Sequence, residues 1–146
     1  MDNKLNKFLH KWIPRIFYKK FDGGKESGVT GYFLIEWKKV FSIGLLHFKQ
    51  GSRENYHSHA FNAITWFVKG SITEQRLIVD HPTCCINKKF QASLIPKFTK
   101  RSNIHRVVSH SDTWALTFRG PWKDIWYEYC PKTKKYIHLT HGRVEI

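Results

Sequence analysis

Three histidines carry the first chemical signal in this 146-residue chain. His57 and His59 stand two positions apart, and His105 lies well downstream. Successive side chains of a strand alternate between faces, so residues i and i+2 point the same way. Two imidazoles held side by side make a chelating pair for Zn, Fe, Mn, Ni or Cu. His105 sits in Asn103-Ile104-His105-Arg106-Val107, near the start of a predicted strand. It is the candidate third ligand, from a neighbouring strand, of a facial site with open positions. His10, His81, His110, His138 and His141 read as solvated. His138 and His141, three apart, have no third partner in the sequence.

An anion beside such a centre needs donors. Arg76, Arg106 and Arg119 each offer a planar fork that matches carboxylate or phosphate, and each can equally face outward as a surface residue. Tyr56 adjoins the histidine pair and is a further ligand-binding candidate. No residue announces a general base; Tyr32, Tyr56 and Glu74 are candidates by their places in the strand pattern. The formal net charge is +14. Such a field attracts nucleic acid, nucleotides, phosphorylated metabolites or acidic membrane surfaces. The lysines are scattered rather than clustered, which also fits a merely soluble surface. No helix-turn-helix, zinc-finger, RRM or KH signature is present.

The elements that must position these groups are strands. Aromatic residues make up 16% of the chain, with frequent Val, Ile and Thr, which favours sheet. Strands are expected at Tyr32 to Trp37, Val40 to Phe48, Asn62 to Val68, Ile72 to Asp80, Phe90 to Ile95, Ile104 to Val108, Thr113 to Arg119, Ile125 to Tyr129 and Tyr136 to Leu139. Gly70 marks a tight hairpin, and His81-Pro82 closes the strand after it. Many short strands between turn signals argue a sandwich or barrel. Upstream, Leu5, Phe8 or Leu9, Trp12 and Ile16 recur at helical spacing among lysines, so Asp2 to about Lys20 is expected to be a basic amphipathic helix, kinked or divided at Pro14. Asp22 to Gly28 reads as a flexible connection. The division is therefore a helical segment and linker over 1–27 and a β-domain over 28–146. No run of eighteen apolar residues exists, and no apolar stretch of signal-peptide type stands near the N-terminus. Cys84, Cys85 and Cys130 make no disulfide framework, which fits a reducing cytoplasm.

Gly51, five residues and then His57-Ser58-His59, with Gly70 eleven residues later, resembles the first motif of the cupin superfamily. His105 matches the third histidine of the second motif. The resemblance implies one antiparallel jelly-roll barrel around a divalent transition metal (Fe, Zn, Mn or Ni). The chain departs from the pattern at four places. Ala63 or Ile64 stands where the motif has its glutamate, Lys100 and Ser102 replace the proline and glycine that lead into the third histidine, and Ser109 replaces the trailing asparagine. A centre of three histidines without the carboxylate resembles that of thiol dioxygenases. The alternatives are a fourth ligand from His47 or Glu74, or loss of the site. From Gly28-Val29-Thr30-Gly31 through Thr113-Trp114-Ala115-Leu116 to Gly120-Pro121 and Trp126, the chain is also similar to small cupin-like proteins of tailed bacteriophages and bacteria. That group carries no activity to transfer.

Three functions compete at this point. The first is a metal-dependent, dioxygenase-like enzyme acting on a small anionic substrate. The second is a non-catalytic module that clasps a nucleotide or cyclic nucleotide, as in sequestration of a defence signal. The third is a polyanion or nucleic-acid binder. A cytoplasmic location (the host's, for a phage protein), no membrane span and a homodimer paired through an exposed edge strand complete the expectations.

Overall fold

A computed structural model describes residues 5, 9, 12–23, 27–51, 55–78, 81–140 and 144–145. Thirteen strands run in chain order among them. They are β1 (Arg15–Phe21), β2 (Val29–Trp37), β3 (Phe41–Phe48), β4 (Tyr56–His57), β5 (Ala63–Lys69), β6 (Ser71–Ile78) and β7 (His81–Gln91), then β8 (Lys97–Thr99), β9 (His105–Ser109), β10 (Thr113–Arg119), β11 (Trp126–Cys130), β12 (Lys135–Thr140) and β13 (Val144–Glu145). They form two antiparallel sheets. The first has the order β1-β2-β3-β10-β5-β8 and the second β13-β12-β11-β4-β9-β6-β7.

Period-two alternation aims each strand. On β3, Ser42, Gly44, Leu46 and Phe48 are buried, while Ile43, Leu45 and His47 between them face the other way. On β10, Thr113, Ala115, Thr117 and Arg119 take the inward positions. The inward apolar residues Phe33, Leu46, Phe48, Phe67, Ile72 and Ala115 meet as one core between the sheets. Burial of each large side chain there contributes about 1.5–3 kcal/mol. Phe33 fills its layer so closely that a Cβ at Gly44 would lie 2.6 Å from its ring. Gly70 turns the β5–β6 hairpin at φ +84°, a conformation that favours glycine.

The strand expectations hold for the central strands and fail at two places. Arg15 to Phe21 was expected inside the N-terminal helix, yet it is β1, an edge strand paired with β2 from Arg15↔Glu36 to Phe21↔Thr30. Leu5, Leu9 and Trp12 have helical backbone, and the Ile13 amide donates to the Leu9 carbonyl at 2.9 Å. The rest of the expected helix before Trp12 lies outside the described residues. Pro14 supplies the physical reason for the change, because it has no N–H to continue a helix and disfavours helical backbone at Ile13. The aromatic, β-branched run after it is better used on the open edge of β2. Phe17 is passed over in the pairing register and has φ 51°, so β1 carries a local irregularity there. Phe90 to Ile95 was expected as a strand, and His81-Pro82 as a strand end. Instead β7 begins at His81 and stops at Gln91, and Leu94 and Ile95 lie in a loop, 95% and 81% exposed.

Candidate metal centre

The centre is assembled across the second sheet. His57 on β4 lies directly opposite His105 on β9. Residues so opposed present their side chains to one face, with Cβ atoms about 4.5–5.5 Å apart. His59 follows just beyond β4. Its approach is fixed by Ser58, whose N–H donates to the Tyr127 carbonyl at 2.9 Å and whose Oγ accepts the Tyr127 N–H at 2.8 Å. The three imidazole rings make a nearly equilateral triangle, with centroids 4.9, 5.0 and 4.9 Å apart. One ligand nitrogen from each lies within 4.8 Å of the others, and the Nε2 atoms of His59 and His105 are 2.8 Å apart.

Two ligands about 2.1 Å from one ion and at right angles would stand about 3.0 Å apart, so the pair suits adjacent ligand positions. The protonation of the rings suits them too. Metal binding needs neutral imidazole. Burial pushes His59 well below its ordinary value, and His105 and Arg119 add to the shift. Burial likewise lowers His105, against the opposing pull of Glu74. Glu74 itself is 2% exposed and accepts hydrogen bonds from His105 Nδ1 at 2.6 Å and Asn103 Nδ2 at 2.7 Å, with Lys97 Nζ at 3.2 Å. Burial raises its carboxyl, but these partners outweigh burial and hold it well below the usual carboxylate range. An ionised Glu74 keeps the His105 proton on Nδ1. The Nε2 lone pair is thereby left for the triangle, an arrangement known to orient ligating histidines. The donor set therefore fits a transition metal.

The histidines face a chamber of about 730 Å³ between the sheets. Arg119 enters it from β10 and is 5% exposed. Its Nη1 and Nη2 donate to the two oxygens of Asp22 at 3.1 and 2.6 Å, and its guanidinium lies 4.5 Å from the Phe61 ring centre. Its Nε is buried without a hydrogen-bond partner. Phe61 in turn packs on His59, centroids 5.3 Å apart, and on Trp122 at 5.2 Å. Lys20 and Lys38 both lie against the Trp122 ring, at 5.0 and 4.6 Å. Burial and the neighbouring Lys20 charge lower the Lys38 amine to about 8. The wall around the centre is thus aromatic and cationic.

Of the residues nominated from sequence, the structure brings His57, His59, His105 and Arg119 to this chamber. Glu74 reaches the triad from behind, through His105, and is not among the clustered ligand atoms. His47 is on the outward face of β3, packed on Trp114 and 3.4 Å from Asp112. Tyr56 and Arg106 adjoin inward-facing histidines and so point to the opposite side of the sheet. There the Arg106 guanidinium lies 4.9 Å from the Tyr56 ring centre, and its Nε donates to Gln75. Arg76 has a side chain 51% exposed, 3.9 Å from Glu74. Tyr32 stacks on Trp114 on the outer face of the first sheet. Reading residues singly missed Asp22, Lys97, Asn103 and Glu128. Glu128 is opposite His57 on β11 and 7% exposed. Its signal was alternation with Trp126, which lines the chamber.

No protein-family model and no curated protein matches the sequence. Solved structures do match in fold. An RmlC-like cupin from Shewanella frigidimarina superposes with a TM-score of 0.53 at 15% identity, over 73% of this chain and 86% of that one. The chain has the cupin fold. Other cupin-fold neighbours are longer than the part they share. Oxalate decarboxylase from Bacillus subtilis gives a TM-score of 0.54 at 9% identity over 75% of this chain and 29% of its own. HppE, described with Fe(II) and substrate, gives 0.55 at 8% identity over 70% of this chain and 55% of its own. Against the usual cupin motif, this chain keeps both glycines and all three histidines and places the glutamate position, Ala63 or Ile64, on β5. Among the described residues no helix is long and apolar enough to cross a membrane.

Proposed function

We propose that this cupin holds one divalent transition metal on His57, His59 and His105 and acts on a small anionic substrate bound beside it in the chamber. The observation that carries the reading is the convergence of three imidazoles with Glu74 fixing the His105 tautomer. The ion, when bound, supplies Lewis-acid polarisation or a site for dioxygen, as in a dioxygenase-like reaction. Arg119 donates to the anion through Nε, which is buried in the chamber wall without a hydrogen-bond partner, while Asp22 holds its two Nη groups. Phe61 and Trp122 keep water from the Arg119 side, which strengthens each charge contact there. Two neighbours favour this class: one is described with Fe(II), and the other is named for oxalate, a small dianion.

Elemental analysis of the purified protein, with cobalt(II) titration of the wild type and of His57→Ala, His59→Ala and His105→Ala, tests the reading. Near-stoichiometric uptake, lost in each variant, is expected. A wild type that contains no transition metal and binds none on addition refutes it.

The aromatic and cationic wall favours a second reading, a non-catalytic clasp for a nucleotide or cyclic nucleotide. Tight binding that survives His57→Ala, with the ligand released unaltered, separates that reading from catalysis.

A further inference from the structure

The carboxylate that the cupin motif leads one to expect beside the histidines is absent at Ala63 and Ile64, but a different one stands close by. A single ladder row crosses the second sheet from Glu128 through His57 and His105 to Arg76. Glu128 shares the inward side of β11 with Trp126, while Tyr129 packs outward with Tyr56 and Leu77. At 7% exposure, its carboxylate is stable only beside a donor or a cation. The chemistry at the far histidine is already visible, where Glu74 accepts the Nδ1 proton of His105. We propose that Glu128 is the positioning carboxylate of His57, accepting its Nε2–H, with Nδ1, a buried atom that makes no hydrogen bond, left to face the ion.

This rests on the metal reading and deepens it. Among the described residues the clustered ligand atoms are those of the three histidines, so Glu128 acts from outside the coordination sphere. Two carboxylates behind the rings then supply the negative charge that a coordinating glutamate would have brought. They occupy no coordination position. The centre keeps its open face for an anionic co-ligand while its electrostatics stay near those of a four-ligand site.

Cobalt(II) titration of Glu128→Gln, with Glu128→Asp as a variant that keeps the charge, tests the proposal. The expected result is a 10–100-fold weaker affinity in Glu128→Gln, partial rescue in Glu128→Asp, and a visible cobalt spectrum of unchanged coordination number. Ring N–H resonances of the metal-free protein give a readout that a purely structural role would not move. The His57 signal should be lost or shifted in Glu128→Gln, with those of His59 and His105 retained. Unchanged affinity with an unchanged His57 signal overturns the proposal, as does a cobalt spectrum showing that Glu128 was itself a ligand. If the wild type takes up no cobalt, the metal reading falls, and the His57 resonance still decides the pairing.

A separate set of observations concerns the outer face of the first sheet. One row runs Ile43, Phe118, Ile64, Phe98 across β3, β10, β5 and β8. Leu34, Val68 and Phe98 are 52%, 57% and 55% exposed, and Tyr32 and Phe118 are each 40% exposed. The central outward positions of β3, β10, β5 and β8 carry no Lys, Arg, Asp or Glu, while Lys69, opposite the outward Trp114, and Lys19, 5.4 Å from the Tyr32 ring centre, stand at the margin. At these exposures the five residues offer on the order of 500 Å² of apolar surface, a patch of the size that marks an interaction site. Copies bearing +14 repel one another, and the uncharged centre of this face is where they can meet. We infer that a second copy of this chain packs here, sheet on sheet about a two-fold axis, rather than through an edge strand.

Sedimentation of the wild type should show a dimer at micromolar concentration. Val68→Lys and Phe118→Lys should give monomers whose melting still reports a folded barrel. A monomeric wild type overturns the inference, and one that also pellets with lipid vesicles assigns the face to a membrane instead. Dimers that persist in both variants overturn it too.

Discussion

Replacing Glu74 by Gln probes the support behind the centre. The side chain keeps its size and an acceptor oxygen but loses its charge. Lys97, whose side chain is 7% exposed, then loses the carboxylate 3.2 Å from its ammonium. Removing one partner of a buried ion pair costs about 3–5 kcal/mol, because the remaining charge stays uncompensated. Lys97 keeps its 2.7 Å hydrogen bond to Thr99 Oγ1, so the lower end of that range applies. For a chain of this size, about 3 kcal/mol corresponds to a fall in melting temperature of about 10 °C. Weaker polarisation of His105 should separately reduce cobalt(II) affinity about 10–100-fold. The double variant Glu74→Gln with Lys97→Met removes the stranded charge and should recover stability without recovering metal affinity. Calorimetry and chelator competition read the two effects. A melting shift under 2 °C together with unchanged affinity would refute the reasoning about both the pair and the tautomer.

Arg119→Met should leave cobalt affinity within about twofold while abolishing binding of oxalate or inorganic phosphate, followed by calorimetric titration; equal anion binding would remove Arg119 from the site. Asp22 gives a pH dependence of stability. Burial raises its carboxyl, but the charge and hydrogen bonds of Arg119, with Lys20 adding, hold it below the usual range in the folded protein. The unfolded chain therefore binds its proton at higher pH, so this contribution is present above about pH 4 and is lost as pH falls below it. Denaturant unfolding from pH 6 to pH 3 should show that loss in the wild type and a flatter profile in Asp22→Asn. Gly44→Ala would place a Cβ 2.6 Å from the Phe33 ring and should cost about 1–3 kcal/mol by overpacking, with Phe33→Leu as the relieving second change in a thermal melt.

The alternation in Phe41 to Phe48 and Thr113 to Arg119 was legible because one face of each strand is core and the other is not. The histidine pair was legible for the same reason, and His105 through its resemblance to a motif. Arg76, Arg106, Arg119 and Tyr56 were nominated together, although strand parity already separates them. A residue next to an inward ligand on a strand faces away from it, which places Arg106 and Tyr56 on the far side. Arg119 shares parity with Ala115 and Thr117 and so points in. The carboxylates of Glu74, Asp22 and Glu128 act through neighbours on other strands, and no local pattern encodes which strands those are. The helical spacing of Leu5, Leu9 and Trp12 was extended one step too far to Ile16, because the open edge of β2 is invisible in a one-dimensional pattern.

β1 does more than widen a sheet. It ends at Phe21, and the next residue, Asp22, balances the charge of Arg119 inside the chamber. The edge strand and the interior chemistry therefore share one covalent tether of a single residue. A truncation just upstream of Val29 would open the sheet edge and strand a buried guanidinium in one stroke. Any recombinant form trimmed to the motif-bearing strands alone would report on a chamber with altered charge, so measurements of anion affinity belong on chains that retain Arg15 to Asp22.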